Sequence, residues 1–180
     1  ELHELFDAYM KFGGMPGIAD IGLDQEKAFV LLEGIYSTVI MRDILERESR
    51  KGQSKITDPI LLKKIILFLA ANIGSNISIS SIGNILVNEG LLEDGKRRGT
   101  PSTHTVQSYV NALLESYFFY DIKRFDIKGK EFLRTLGKYY IVDIGLRNYL
   151  LGFRNRDNGH ALENVVYFEL LRRGYDVSIG

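Results

Sequence analysis

Between Ser102 and Leu136 the hydrophobic period of this chain changes from helical to alternating, and that change limits the folds open to it. Val106, Tyr109, Val110, Leu113, Leu114 and Tyr117 recur in steps of 3, 1, 3, 1 and 3, which is the spacing of one buried helix face. Ser102 stands where an N-cap belongs, so the pattern predicts a helix over 103–116. Residues 118–127 are rich in aromatic and β-branched side chains. Phe118, Tyr120 and Ile122 point one way there, Asp121 and Lys123 the other. Lys128–Gly129 signals a turn, and residues 132–136 return as a second strand.

Two further helices are expected upstream. Asp58 before Pro59 fits an N-cap with proline at the first helical position, and residues 59–72 place Leu61, Leu62, Ile65, Ile66, Phe68 and Leu69 at core spacing. Residues 78–88 read as a shorter helix with Ile82, Ile85 and Leu86 inward. Three helices followed by a hairpin is the order of a winged helix, with the third helix as the recognition element.

The charge distribution marks the same region. The 180 residues carry 23 basic and 23 acidic side chains, yet residues 96–138 hold 9 basic against 4 acidic, and residues 1–58 hold 7 against 11. A neutral total thus hides a basic block, and the local field is what steers a polyanion. On the third helix Ser102, Thr103, His104, Gln107, Ser108 and Asn111 form the polar side, with short hydrogen-bonding groups able to reach base edges. Lys96, Arg97, Arg98, Lys123, Arg124, Lys128 and Lys130 flank it as candidate phosphate contacts. That helix face carries no Arg or Lys, so backbone contact is favoured over base reading.

The flanks are helical. Leu2, Leu5, Phe6 and Tyr9 predict a short helix over 1–12, broken by Gly13–Gly17 (GGMPG). Asp24 caps a long helical run whose apolar positions are Ala28, Leu31, Leu32, Ile35, Val39 and Ile40, with a charged tail over 42–51. GQSKITDP (52–59) is a polar linker. Beyond the hairpin, residues 139–142 predict another short strand. Asp143 caps a helix to Leu150 or Leu151. A final helix starts at Asn158 or His160, with Leu162, Val165, Val166, Phe168, Leu170 and Leu171 inward, and ends at Gly174. Residues 175–179 alternate like a strand.

The absence of cysteine excludes disulfides, thiolate metal sites and a cysteine nucleophile. No GxxxxGK[ST] motif occurs, so these residues are not expected to bind and hydrolyse a nucleotide by themselves. His3, His104 and His160 are read as isolated, and no metal site is expected from them. Glu163 is a candidate metal-binding acid, although Glu169, six residues on, does not share its helix face. No apolar run reaches the length of a membrane span, and no signal peptide is visible, so a cytoplasmic protein is expected. The chain opens without Met and is read as a piece of a longer protein.

Several runs occur in a familiar order: GGMPG, STVIMRDI (37–44), STHTVQSYVNALLES (102–116), KRFDIKGKEFLRTLGKYYIVDIGLRN (123–148) and GHALENVVYFELLRRGYDV (159–177). Together they resemble the C-terminal half of a prokaryotic family of predicted AAA-type ATPases. There a P-loop ATPase domain is followed by a helical segment, a winged helix and a restriction-endonuclease-like domain of the PD-(D/E)XK type. The resemblance implies three parts: residues 1–57 as the end of the ATPase module and a linker, 58–137 as the winged helix, and 138–180 as the start of the endonuclease-like domain. It implies ATP and Mg²⁺ as cofactors of the parent protein only, and it matches Glu163 to the acid on the first helix of the nuclease fold. The Asp and Glu-x-Lys strands that would complete a Mg²⁺ site lie beyond Gly180.

The expected fold is therefore α+β and mostly α. The expected function is a non-catalytic DNA-binding or DNA-sensing module of an ATPase, with double-stranded DNA, the upstream ATPase domain and sister subunits as partners. A second reading makes the winged helix a protein-interaction and regulatory module, with Tyr117, Phe118 and Phe119 as its exposed aromatics. A third assigns Glu163 to a Mg²⁺-dependent nuclease completed downstream.

Overall fold

The computed structural model describes residues 1–50, 56–88, 100–126, 131–152 and 158–179; side chains are not described at 39–40, 48–49, 123–126, 131–136 and 158. The fold is α+β and mostly helical. Its helices are α1 (Leu2–Phe12), α2 (Gly17–Asp20), α3 (Gln25–Gly34), α4 (Asp43–Arg50), α5 (Pro59–Ala71), α6 (Ile79–Asn88), α7 (Thr103–Glu115), α8 (Ile144–Leu151) and α9 (Asn158–Arg172). Its strands are β1 (Phe119–Asp126) and β2 (Glu131–Ile141), which pair antiparallel. Among the described residues no helix is long and apolar enough to cross a membrane.

The helix starts follow from local chemistry. Asp24, Asp58, Ser102 and Asp143 each take an extended conformation and accept a backbone N–H of the following first turn with their side chains. Each thereby satisfies a donor that the helix itself leaves unpaired. The run after Asp24 is less regular than its periodicity suggests. Ile35–Arg42 winds as a π-helix between α3 and α4. Tyr36 on this stretch is buried with no hydrogen-bond partner for its hydroxyl among the described residues, and burial pushes that hydroxyl up to about 12.

Residues 59–141 make the centre of the fold. Leu61, Leu62, Ile65, Ile66 and Leu69 of α5, Ile82 and Leu86 of α6, and Val106, Tyr109, Val110 and Leu113 of α7 are buried in one core. Gly83 lets α6 approach the chain just before α7, because a Cβ there would lie 2.8 Å from the Pro101 carbonyl oxygen. Ile77, between α5 and α6, exchanges both backbone hydrogen bonds with Gly137 of β2, at 2.9 and 3.2 Å. A short third extended segment therefore joins the hairpin. Part of the expected polar linker is also tied in: Ile56 is buried, and Thr57 and Asp58 donate their N–H groups to the Tyr109 hydroxyl at 3.2 and 2.9 Å.

Several sequence expectations change. Residues 132–136 and 139–142 are not two strands, because β2 runs unbroken from Glu131 to Ile141. A register shift between Lys123 and Arg124 puts Gly137 opposite the first and Leu133 opposite the second. Residues 134–136 thus form a bulge, which bends the hairpin and raises its twist. Tyr117 does not complete the buried stripe of α7: it lies past the helix end in a left-handed conformation, φ 57°, and is 68% exposed. The inward face of α9 is rotated from the expected one. Ala161, Asn164 and Tyr167 are buried, whereas Leu162 and Val166 are 46% and 48% exposed. Residues 175–178 are irregular, and only Ile179 makes a bridge. The loop at 89–99 and the Lys128–Gly129 turn lie outside the described residues.

The first turn of α8 holds the N-terminal arm. Asp143 accepts the Gly14 N–H at 2.7 Å, and Asn148 donates to the carbonyls of Met10 and Lys11 at 2.9 and 2.8 Å. Gly145 makes this approach possible, since a Cβ there would overlap the Phe12 carbonyl. Gly145→Ala is therefore expected to push α1 off α8 and cost about 1–3 kcal/mol, measured as a lower urea midpoint with the slope retained.

Candidate functional site

Two groups of polar residues stand out, one at the N-terminal end of α7 and one where α9 crosses β2. At α7, Ser102, Thr103 and His104 are exposed at its N-terminal end, and Gln107 and Ser108 are half-exposed. Their hydrogen-bonding capacity is partly used within the helix. Ser102 Oγ accepts the Thr105 N–H at 3.1 Å and pairs with the Thr105 hydroxyl at 2.9 Å. The Ser108 hydroxyl donates to the His104 carbonyl at 3.0 Å, and Gln107 donates to Asn111 at 2.8 Å. Side chains satisfied along their own helix gain less from base edges than free ones.

The basic residues expected beside this helix are only partly placed. Lys96, Arg97, Arg98, Lys128 and Lys130 lie outside the described residues. Lys123 and Arg124 lie on β1 at the register shift, and their side chains are not described. Phe118 and Phe119, expected among the exposed aromatics, are buried in the main core, and Tyr117 alone of the three is exposed. Tyr117 lies against Tyr120 with ring centroids 6.1 Å apart.

The second group centres on Glu163. Its Oε1 accepts from Lys138 Nζ and from the Tyr140 hydroxyl, both at 2.6 Å. Its Oε2 stands 3.6 Å from His160 Nδ1. Gly74 fits beneath, where a Cβ would lie 2.8 Å from His160 Nδ1 and 3.0 Å from Glu163 Oε2. Burial pushes the Glu163 carboxyl up, but the bonds from Lys138 and Tyr140, the Lys138 charge and the His160 contact together hold it below the usual carboxylate range. Tyr140 is pushed up, by burial and then by its bond to Glu163. Next in sequence, Asn164 is only 2% exposed and pairs its carboxamide with both the N–H and the C=O of Ile141, each at 2.9 Å.

As a metal ligand Glu163 is poorly placed. One oxygen already accepts two donors, one of them an ammonium, and a Mg²⁺ ion demands near-octahedral oxygen ligation. Among the described residues no group of three or more His, Asp or Glu side chains is arranged to hold a metal ion. Among the described residues, those around Glu163 do not by themselves make a Mg²⁺ site, and the arrangement acts as a polar clamp between helix and hairpin. His160, read as isolated, lies one helical turn before Glu163; that spacing was visible in the sequence. The roles of Lys138, Tyr140 and Gly74 were not, because they depend on how β2 and the α5–α6 turn meet α9.

A family profile matches residues 3–157, described as a domain of unknown function, DUF8612. The chain belongs to that family. An uncharacterized protein of Haemophilus influenzae is 37% identical over 177 residues, covering 98% of this chain and 40% of that protein. The uncharacterized protein MJ1544 of Methanocaldococcus jannaschii is 31% identical over 179 residues, covering 97% of this chain and 35% of the relative. The DUF8612 chain thus spans well under half the length of these curated relatives. No solved structure matches it.

At the start of α8, Asp143 is buried and accepts backbone N–H groups of Gly14 and Leu146. Burial pushes its carboxyl above the usual range, against the lowering effect of bonds from Gly14, Leu146 and Gly145. With the folded value raised, its contribution to stability is fullest below the unfolded value and is lost as pH rises through the folded one. The stability advantage of the wild type over Asp143→Asn should therefore shrink over the pH range from the ordinary carboxylate pKa upward. Urea melts across that range check it, and an advantage growing with pH would contradict it.

Proposed function

We propose that residues 58–137 form a winged helix that contacts double-stranded nucleic acid chiefly through phosphates. The observation that carries this reading is the element order. Helices α5, α6 and α7 are followed by the β1–β2 hairpin, and the segment between α5 and α6 bridges the hairpin at Ile77–Gly137. In a winged helix the third helix enters the groove and the hairpin flanks it. The exposed polar start of α7 and the 9 basic against 4 acidic residues over 96–138 support the same assignment. The internal hydrogen bonds of Ser108 and Gln107 favour phosphate contact over base reading.

In keeping with the order of sequence runs, we read the chain as a non-catalytic part of a longer, ATP-hydrolysing protein. Residues 1–57 end the ATPase module and residues from 138 open an endonuclease-like segment. The lengths of the two relatives accord with such a larger protein. A protein-contact role is the second reading. It is favoured by Tyr117, a large aromatic held out in a left-handed conformation at the end of α7.

Fluorescence anisotropy on a generic duplex over a salt series separates the two. Nucleic-acid contact predicts binding at low salt that weakens linearly in a log–log plot. Arg97→Ala with Arg98→Ala should lower the slope by about 2, one for each phosphate that no longer meets a guanidinium. Absence of binding at low salt, or affinity independent of salt, would sink the reading. Unchanged duplex affinity in that double variant, together with altered self-association of Tyr117→Ala, favours protein contact.

A further inference from the structure

The root of the hairpin is held from both faces. Tyr120 pairs across the strands with Tyr140, and Ile122 with Lys138, so these four side chains share one face. That face is covered by α9: Tyr167 stacks on Tyr140 with centroids 4.6 Å apart, and Phe168 meets Tyr120 edge-on at 4.9 Å. Phe119, Tyr139 and Ile141 face the other way, into the main core.

Glu163 gathers the polar part of this junction. Lys138 and Tyr140 are successive residues of β2 on the covered face, and both bond to the same carboxylate oxygen at 2.6 Å. Two bonds from positions i and i+2 to one acceptor fix how far the strand slides along α9 and how it tilts against it. The other oxygen lies over Gly74, whose N–H donates to the Tyr139 carbonyl of the same strand at 3.1 Å. Helix α9, strand β2 and the turn after α5 therefore meet at one side chain. Farther out, the bulge at 134–136 bends the hairpin, so the direction of its outer part depends on how the root is oriented.

We propose that Glu163 is the positioning residue of the hairpin, anchoring Lys138 and Tyr140 to α9 and so setting the angle at which β1–β2 leaves the three-helix unit. Its effect on nucleic-acid affinity rests on the reading given above; its effect on the hairpin does not. Glu163 touches no ligand in this role. It acts through the strand.

The test compares the 180-residue chain with its Glu163→Gln and Tyr140→Phe variants by hydrogen–deuterium exchange and by duplex titration over a salt series. Gln keeps the volume and one acceptor oxygen but loses the charge. In Glu163→Gln, amide exchange over 119–126 and 131–141 should rise about fivefold or more, with α5 and α7 unchanged. Duplex affinity should fall about three- to tenfold with an unchanged salt slope, because every phosphate keeps its cation. Tyr140→Phe removes one donor and should move both readouts the same way by less, which keeps the test open if Glu163→Gln folds poorly. Unchanged hairpin exchange overturns the proposal whatever the duplex does. Faster exchange spread evenly over all helices also overturns it, as general destabilisation. So does tighter duplex binding with a slope steeper by about 1, which would make Glu163 a mask over Lys138. Faster hairpin exchange in a protein that binds no duplex upholds the positioning role and removes the nucleic-acid reading.

Discussion

The fold depends on six residues, 143–148, that close the ends of three helices. Asp143 begins α8 by accepting the Leu146 N–H, and its other oxygen takes the Gly14 N–H just past α1. Asn148 covers the last carbonyls of α1, and Arg147, buried at 4% exposure, donates to the Ala70 carbonyl at the end of α5. Helix ends leave backbone groups without partners, and leaving such groups buried and unpaired costs about 1–3 kcal/mol each. Concentrating their satisfaction in one turn makes the arm, the three-helix unit and α8 mutually dependent. Gly145 is part of this arrangement because the helix must let the Phe12 carbonyl approach its backbone.

The hairpin is the second organising element, and it belongs to two cores at once. Its inner face contributes Phe119, Tyr139 and Ile141 to the large helical core, while Ile122 and Tyr140 pack with Tyr167 in a smaller cluster under α9. A two-stranded hairpin alone is marginal in water. Here each strand is buried on both sides at its root, so the sheet needs no third long strand. The candidate interface is then carried on a rigid base, with α7 and the hairpin root fixed to the same core.

Much of the local structure was legible before any coordinates. Asp24, Asp58, Ser102 and Asp143 marked helix starts because capping is a short-range interaction between a side chain and its own next turn. The stripe of α7 was readable because one face of that helix meets a continuous apolar core. Where reading failed, the cause was tertiary. The face of α9 was misjudged because its buried side includes Asn164, a polar residue made acceptable only by the Ile141 backbone opposite it. Tyr117 continues the spacing of the buried stripe but lies past the end of α7 at Glu115, where periodicity no longer sets which way a side chain points. The π-helical stretch at Ile35–Arg42 keeps the apolar spacing of the helix before it, so periodicity does not distinguish it. At the candidate site, the polar tip of α7 could be read from spacing, but the Glu163 clamp joins residues 23 and 25 positions apart in sequence.

The way β2 ends its outer edge has a consequence for how the molecule meets others. In a strand, alternate residues turn their N–H and C=O to the same edge. On the edge away from β1, Gly137 is paired by Ile77, the Tyr139 carbonyl by Gly74, and Ile141 by the Asn164 carboxamide. Three unrelated devices thus occupy the backbone positions that an incoming strand would use. An open edge is a template for intermolecular pairing, and at this root the template is already taken. At the root of that edge, strand-addition assembly and amyloid-like growth meet positions 137, 139 and 141 already engaged.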